Sequence, residues 1–176
     1  MKKINNIIII ISLLLSFIRG NHWLILGLVA MIILSFFIRK YNKNLEFVYL
    51  LFIFIAYVMG YILDYYNKIY FFDAITHSLF GLVSGIFSLS LLKKFKIYNC
   101  SNIFFNTIFI IIFTLAMASV WEIIEFTIDK IFLSNMQRSL NNTMKDIISA
   151  LLLSIIYCLI YLENRKLIEK IFITRN

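Results

Sequence analysis

The sequence lacks most of what a soluble domain needs. Of its 176 residues only 15% are charged, nine are acidic, and there is no proline. A soluble domain is roughly 45–50% apolar and about 25% charged. Here 62% of residues are hydrophobic and the mean hydropathy is +0.91. No stretch is long enough for a separate soluble domain, so the chain reads as one transmembrane domain, residues 1–176. There are two cysteines, Cys100 and Cys158. Two exclude a disulfide framework, and their spacing is not that of a metal site, so both read as inert. No nucleic-acid motif and no internal repeat is present. The formal charge of +8 therefore marks loops that flank a membrane and meet anionic lipid. No nucleic-acid partner is expected.

What is present is a series of apolar runs. They predict helices over about residues 4–18, 23–38, 45–64, 73–92, 103–129 and 144–162, followed by a cytoplasmic tail, 163–176. At roughly 20 residues per span, the expectation is an all-α polytopic membrane bundle of about six transmembrane helices. Met1-Lys2-Lys3 and the run 7–18 have the charge and hydropathy of a signal peptide. Phe17, Ile18 and Arg19 before Gly20 offer no small-residue cleavage site. The run is therefore expected to be an uncleaved first span. Lys and Arg number twelve in one set of alternate loops and five in the other. The positive-inside rule then places both termini in the cytoplasm of a multi-pass cell-membrane protein.

The acids are not scattered. In the segment AMASVWEIIEFTIDK, residues 116–130, Glu122, Glu125 and Asp129 are spaced by three and four and share one helix face. Ala118 and Thr114 continue that face with small residues. Asp73, His77, Gly81, Ser84 and Ser88 form a similar polar, small face on the fourth run. Asp64 ends the third run, and Asp146 opens the sixth with Ser149 and Ala150 beside it. With six spans, all these acids fall in the outer leaflet on four consecutive helices. The remaining acids, Glu46, Glu163 and Glu169, fall on the cytoplasmic side. Glu122 lies about 10 Å deeper than Asp129, and His77 about 6 Å deeper than Asp73, at ~1.5 Å per residue.

A charged side chain inside a membrane is costly and points to function. Several buried carboxylates cannot all stay ionised without partners. They take protons, pair with cations or bind metal. Lys130, Arg138 and Lys145 belong near the surface, so the deeper pair Glu122 and His77 has no cation at its level. A divalent ion answers this, since His with carboxylates suits zinc or manganese. A protonated Glu hydrogen-bonded to a neutral His answers it too. The expected metal ligands are Asp73, His77, Glu122 and Asp146, with Glu122 and Glu125 as catalytic carboxylates.

Three short patterns carry a resemblance: Asp73-x3-His77-x3-Gly81, Trp121-Glu122-x2-Glu125, and Asn142-Thr143-x2-Asp146. In this order and placement the chain resembles the YjdF-type bacterial membrane proteins, a family without an assigned activity. The similarity covers about the third to sixth helices. It implies that Asp73, His77, Gly81, Trp121, Glu122, Glu125 and Asp146 are the family's characteristic positions. Asn142 stands where that pattern has Asp, so one potential ligand is lost or neutralised.

Three functions fit these residues. The first is a metal-dependent membrane enzyme acting on a lipid-like substrate, with membrane lipids as its surroundings. Arg138 is the only outer-loop arginine near the cluster, which is few cations for a phosphate. The second is a proton- or ion-coupled transporter using Glu122 and His77. The polar residues visible in the other half are Ser84, Ser88 and Ser154. The third is a scaffold with a structural polar network.

Overall fold

In the computed structural model of the protein, residues 2–19, 22–98 and 102–173 are described. Cys100, Gly20 and Asn21 lie outside them. Among the described residues every regular element is helical: α1 (Lys2–Arg19), α2 (His22–Arg39), α3 (Lys43–Ile62), the short α4 (Tyr65–Lys68), α5 (Phe72–Lys94), α6 (Ile103–Phe132), α7 (Leu140–Glu163) and α8 (Arg165–Ile168). The second half of α3, Phe54–Ile62, winds with the wider π-helical turn, as does Glu169–Ile173 after α8. In lipid each backbone group must find its partner inside its own segment, which is why these apolar runs are helices despite their many β-branched residues.

Four of these helices are long and apolar enough to cross a membrane: α3, α5, α6 and α7. The expected count of about six spans is thereby corrected to four among the described residues. Among the described residues the apolar parts of α1 and α2 are Lys3–Ile18 and Ile25–Arg39. These described apolar stretches are shorter than α3, α5, α6 and α7, though their composition suits lipid. The protein is a multi-pass membrane protein, with four such helices among the described residues.

With no proline to end them, the helices stop by other means. Asn42 caps α3, its side chain accepting the backbone N–H groups of Asn44 and Leu45 at 2.7 and 3.1 Å. Asn102 caps α6 through the N–H of Phe105, and Ser139 caps α7 through the N–H of Asn142. The chain leaves α3 at Asp64 and α6 at Leu133, both left-handed, with φ of 65° and 53°. Asp tolerates that region better than most residues.

The chain divides into two compact units. One comprises the chain through Phe72 together with the segment from Leu167 onward. In it α1, α2 and α3 pack on one another. The Nδ2 groups of Asn42 and Asn44 both donate to the Ile171 carbonyl, at 3.1 and 2.7 Å, which ties the C-terminal segment to the start of α3. The buried Glu46 faces Arg39 at 3.6 Å. The second unit, Asp73–Lys166, holds α6 and α7 as an antiparallel pair, with α5 against them.

The buried stripe of α6 is Asn106, Ile110, Thr114, Ala118, Glu122 and Glu125, stepping by four and finally three. That of α7 includes Asp146, Ala150, Ser154, Cys158 and Tyr161. Small residues set the spacing, as they do between membrane helices generally. Gly81 of α5 lies against the backbone carbonyl of Ala150, and Gly85 against Tyr157, Ile110 and Ser154. The outer face of α6 is apolar, with Ile112, Ile123 and Ile131 all more than half exposed, as lipid contact requires.

Candidate metal centre

All of the site lies in the second unit. α5 enters it with Asp73 and, one turn on, His77. α6 brings Glu122 and Glu125 near its end, and α7 brings Asp146 near its start. His77, Glu122, Glu125 and Asp146 are buried, while the Asp73 side chain keeps 19% of its surface exposed. The cluster is therefore inside the bundle. Its expected placement at the outer leaflet is corrected: the acids turn inward on stripes that face neighbouring helices.

His77 is the centre. Its Nε2 lies 3.6 Å from Asp73 Oδ1 and 3.9 Å from Asp146 Oδ2. Its Nδ1 lies 3.9 Å from Glu122 Oε1. These separations exceed the ~2.7–3.2 Å of an N–H···O hydrogen bond. Two ligands of a tetrahedral ion at ~2.0–2.2 Å sit about 3.3–3.6 Å apart, much nearer to what is seen. Two overlapping groups can each offer three donor atoms within 4.8 Å of one another: Asp73, His77 and Asp146, and His77, Glu122 and Glu125.

Three further side chains hold the acids in place. The Asn142 Nδ2 donates to Asp73 Oδ2 at 3.2 Å and closely to Asp146 Oδ2, linking the acids of α5 and α7. The Trp121 Nε1–H donates to Glu125 Oε1 at 2.9 Å, and its ring meets Phe80 of α5 at 5.8 Å. Arg138 Nη1 lies 3.7 Å from Asp73 Oδ2, at the exposed edge of the cluster. Glu122 differs. Both its oxygens are buried and neither has a hydrogen-bond partner. The Thr143 hydroxyl faces it but falls outside hydrogen-bond geometry. A buried carboxylate with no partner is expensive, and an ion at this point removes the cost.

Of the residues singled out from the sequence, Asp73, His77, Glu122, Glu125 and Asp146 come together. Asp129 does not. It sits one turn from the end of α6 and accepts from Ser134 Oγ and from the N–H groups of Met136 and Gln137, at 2.6, 2.8 and 2.9 Å. It organises the loop instead. Asp64 belongs to the first unit, where it accepts from Asn67 Nδ2 at 2.7 Å. Asn142 is not merely a lost ligand, since its amide is the donor between two acids. The Asx-Thr-x2-Asp spacing put it one turn from Asp146 on α7, the only hint of that role in the sequence.

Comparison with known proteins agrees with the motif reading. Residues 2–166 match the family described as Predicted membrane protein (DUF2238), and the chain belongs to it. An uncharacterised protein of Thermotoga maritima is 36% identical over 106 residues, 57% of this chain and 52% of that protein. The chain thus aligns with about half the length of that relative. No solved structure matches.

Proposed function

We propose that this member of the DUF2238 family is a metal-dependent membrane enzyme acting on a lipid-like substrate. The observation that carries the reading is Glu122: a buried carboxylate with both oxygens unpartnered, 3.9 Å from a buried imidazole. Asp73, His77, Glu122 and Asp146 are the ligands. An ion held there supplies Lewis acidity toward an ester or phosphoester oxygen. Glu125 is the general base, with Glu122 shared between ligation and catalysis. The Trp121 N–H occupies one oxygen of Glu125 and fixes its orientation, leaving the other for a proton. Asn142 holds Asp73 and Asp146 at a set separation. Ile123, Ile124 and Phe126 flank the two glutamates on the exposed face of α6, so a substrate with acyl chains fits the approach better than a soluble one.

Metal analysis of the detergent-purified protein tests this. After chelation and reloading with zinc or manganese, at least one ion per chain is expected. His77→Ala and Glu122→Gln each retain less ion than wild type, and Asp129→Asn retains as much. Glu125→Gln keeps at least one ion and loses turnover of lipid-like esters. Wild-type protein that retains no ion sinks the reading.

A proton-coupled carrier is the second reading. It is favoured by polar contacts along the rest of α6 and α7: Ser154 with Thr114, and Tyr161 with both Asn106 and Tyr98. Proton uptake into vesicles without any bound ion would favour it over the enzyme.

A further inference from the structure

The two donor groups share one residue, His77, and use opposite sides of its ring. Asp73 and Asp146 face Nε2, while Glu122 faces Nδ1. Glu125 belongs with Glu122 in the second group. We propose that His77 bridges two divalent ions, one held with Asp73 and Asp146, the other with Glu122 and Glu125. This rests on the metal-centre reading above, extends it from one ion to two, and makes the free oxygen of Glu125 a ligand of the second ion.

Geometry is the first argument. A ring nitrogen serving only one ion normally donates its other N–H to a carboxylate at hydrogen-bond distance. Here the carboxylates on both sides stand 3.6–3.9 Å away, beyond such a bond. A contraction of a few tenths of an ångström brings either side to the ~3.3–3.6 Å ligand separation of a tetrahedral ion. On each side a donor from outside the cluster already holds an acid. Asn142 serves Asp73 and Asp146, and Trp121 serves Glu125. Such outer contacts orient ligands, and each side has its own. On the Nδ1 side, Glu122 is 4% exposed with neither oxygen partnered. An ion confined to the Nε2 side leaves Glu122 stranded.

Charge is the second argument. Four ionised carboxylates bring four negative charges to one small volume. Arg138 brings a single positive charge, 3.7 Å from Asp73 Oδ2 at the exposed edge. One divalent ion leaves the interior negative. Two ions balance the four carboxylates, and the one negative charge of a bridging imidazolate is opposite in sign to Arg138; buried charge must be neutralised in a low-dielectric setting. An imidazole that binds through both nitrogens releases its N–H proton to solvent as the second ion enters, since ligands bind deprotonated.

The experiment is a titration of the purified, chelated wild-type protein with Zn(II) and, separately, Cu(II). Bound metal is counted after gel filtration, and copper is followed by electron paramagnetic resonance. Two ions per chain are expected. At full copper load the bridge couples the two spins, so the integrated signal falls well below twice that at half load. Glu122→Gln and Asp146→Asn are each expected to bind one ion and to give an uncoupled signal. One ion per chain in the wild type overturns the bridge and leaves the metal-dependent reading standing. Two ions with an undiminished copper signal also overturn the bridge, because the sites are then separate. No retained ion overturns both readings. The wild-type measurements need no variant to fold.

Discussion

Gly81 presses on the carbonyl of Ala150, so that a Cβ at position 81 would overlap backbone rather than a movable side chain. The contact sits one turn beyond His77 and one turn beyond Asp146, and it sets the distance between α5 and α7 at the site. Gly81→Ala is expected to cost about 3 kcal/mol, the upper end of ordinary overpacking, and to weaken metal retention with it. In the first unit, a Cβ at Gly27 would meet the Tyr57 hydroxyl at 2.6 Å, the far end of a side chain. Gly27→Ala should therefore cost less than about 1 kcal/mol. Thermal melts in detergent compare the two. Equal stabilities would show that the α5–α7 approach is not tight.

Asn142→Asp converts the donor between Asp73 and Asp146 into a third acid. Without metal the variant is expected to lose about 1–3 kcal/mol, the cost of leaving buried acceptors unsatisfied. With zinc in excess it should recover, because an ion that binds only the folded state adds about 2.7 kcal/mol at a hundred times its Kd. Paired melts with chelator and with zinc read this directly. A variant as stable as wild type in chelator would mean that the Asn142 amide contributes nothing.

Asn42 has two tasks, capping α3 and holding the Ile171 carbonyl, whereas Asn44 shares only the second. Asn42→Ala is expected to cost about 2 kcal/mol, roughly one for the cap and one for the hydrogen bond. Asn44→Ala should cost about 1 kcal/mol. Both should speed proteolysis after Glu169, measured by mass spectrometry of the clipped chain. Unchanged cleavage in both would show that the C-terminal segment is held by something else.

Hydropathy made the helices legible, because in lipid an apolar run has no other way to satisfy its backbone. It misled on their number: it marks α1 and α2 as apolar, but among the described residues their apolar stretches, Lys3–Ile18 and Ile25–Arg39, are shorter than the four long helices. The acids of the site were legible for a similar reason. Asp73 and His77, or Glu122 and Glu125, share a helix face by spacing alone. The same spacing included Asp129, and there it failed. At the end of a helix a carboxylate is within reach of the next loop's N–H groups, and three donors from residues 134–137 claimed it. The linking role of Asn142 and the pairing of Arg138 with Asp73 join separate elements, which no periodicity within one helix can reveal. From the sequence Tyr161 reads as a lipid or core contact, and Asn106 carries no pattern that singles it out. Their meaning comes from meeting each other at 3.2 Å.

That meeting is the last of three rungs between the antiparallel α6 and α7. Asn106 bonds Tyr161, Thr114 bonds Ser154, and Glu122 and Asp146 both reach His77. The rungs are spaced by eight residues along α6 and by seven and eight along α7, about 12 Å apart at ~1.5 Å per residue. Sliding one helix past the other by a single turn would set Glu122 against Ala150, and Thr114 against Cys158. All three rungs would be lost together. The pair therefore cannot shear in small steps: it is keyed like a lock with three pins. The distance between the acid of α6 and the acid of α7 is thus set as much at Tyr161, on the far side of the bundle, as by the residues around His77.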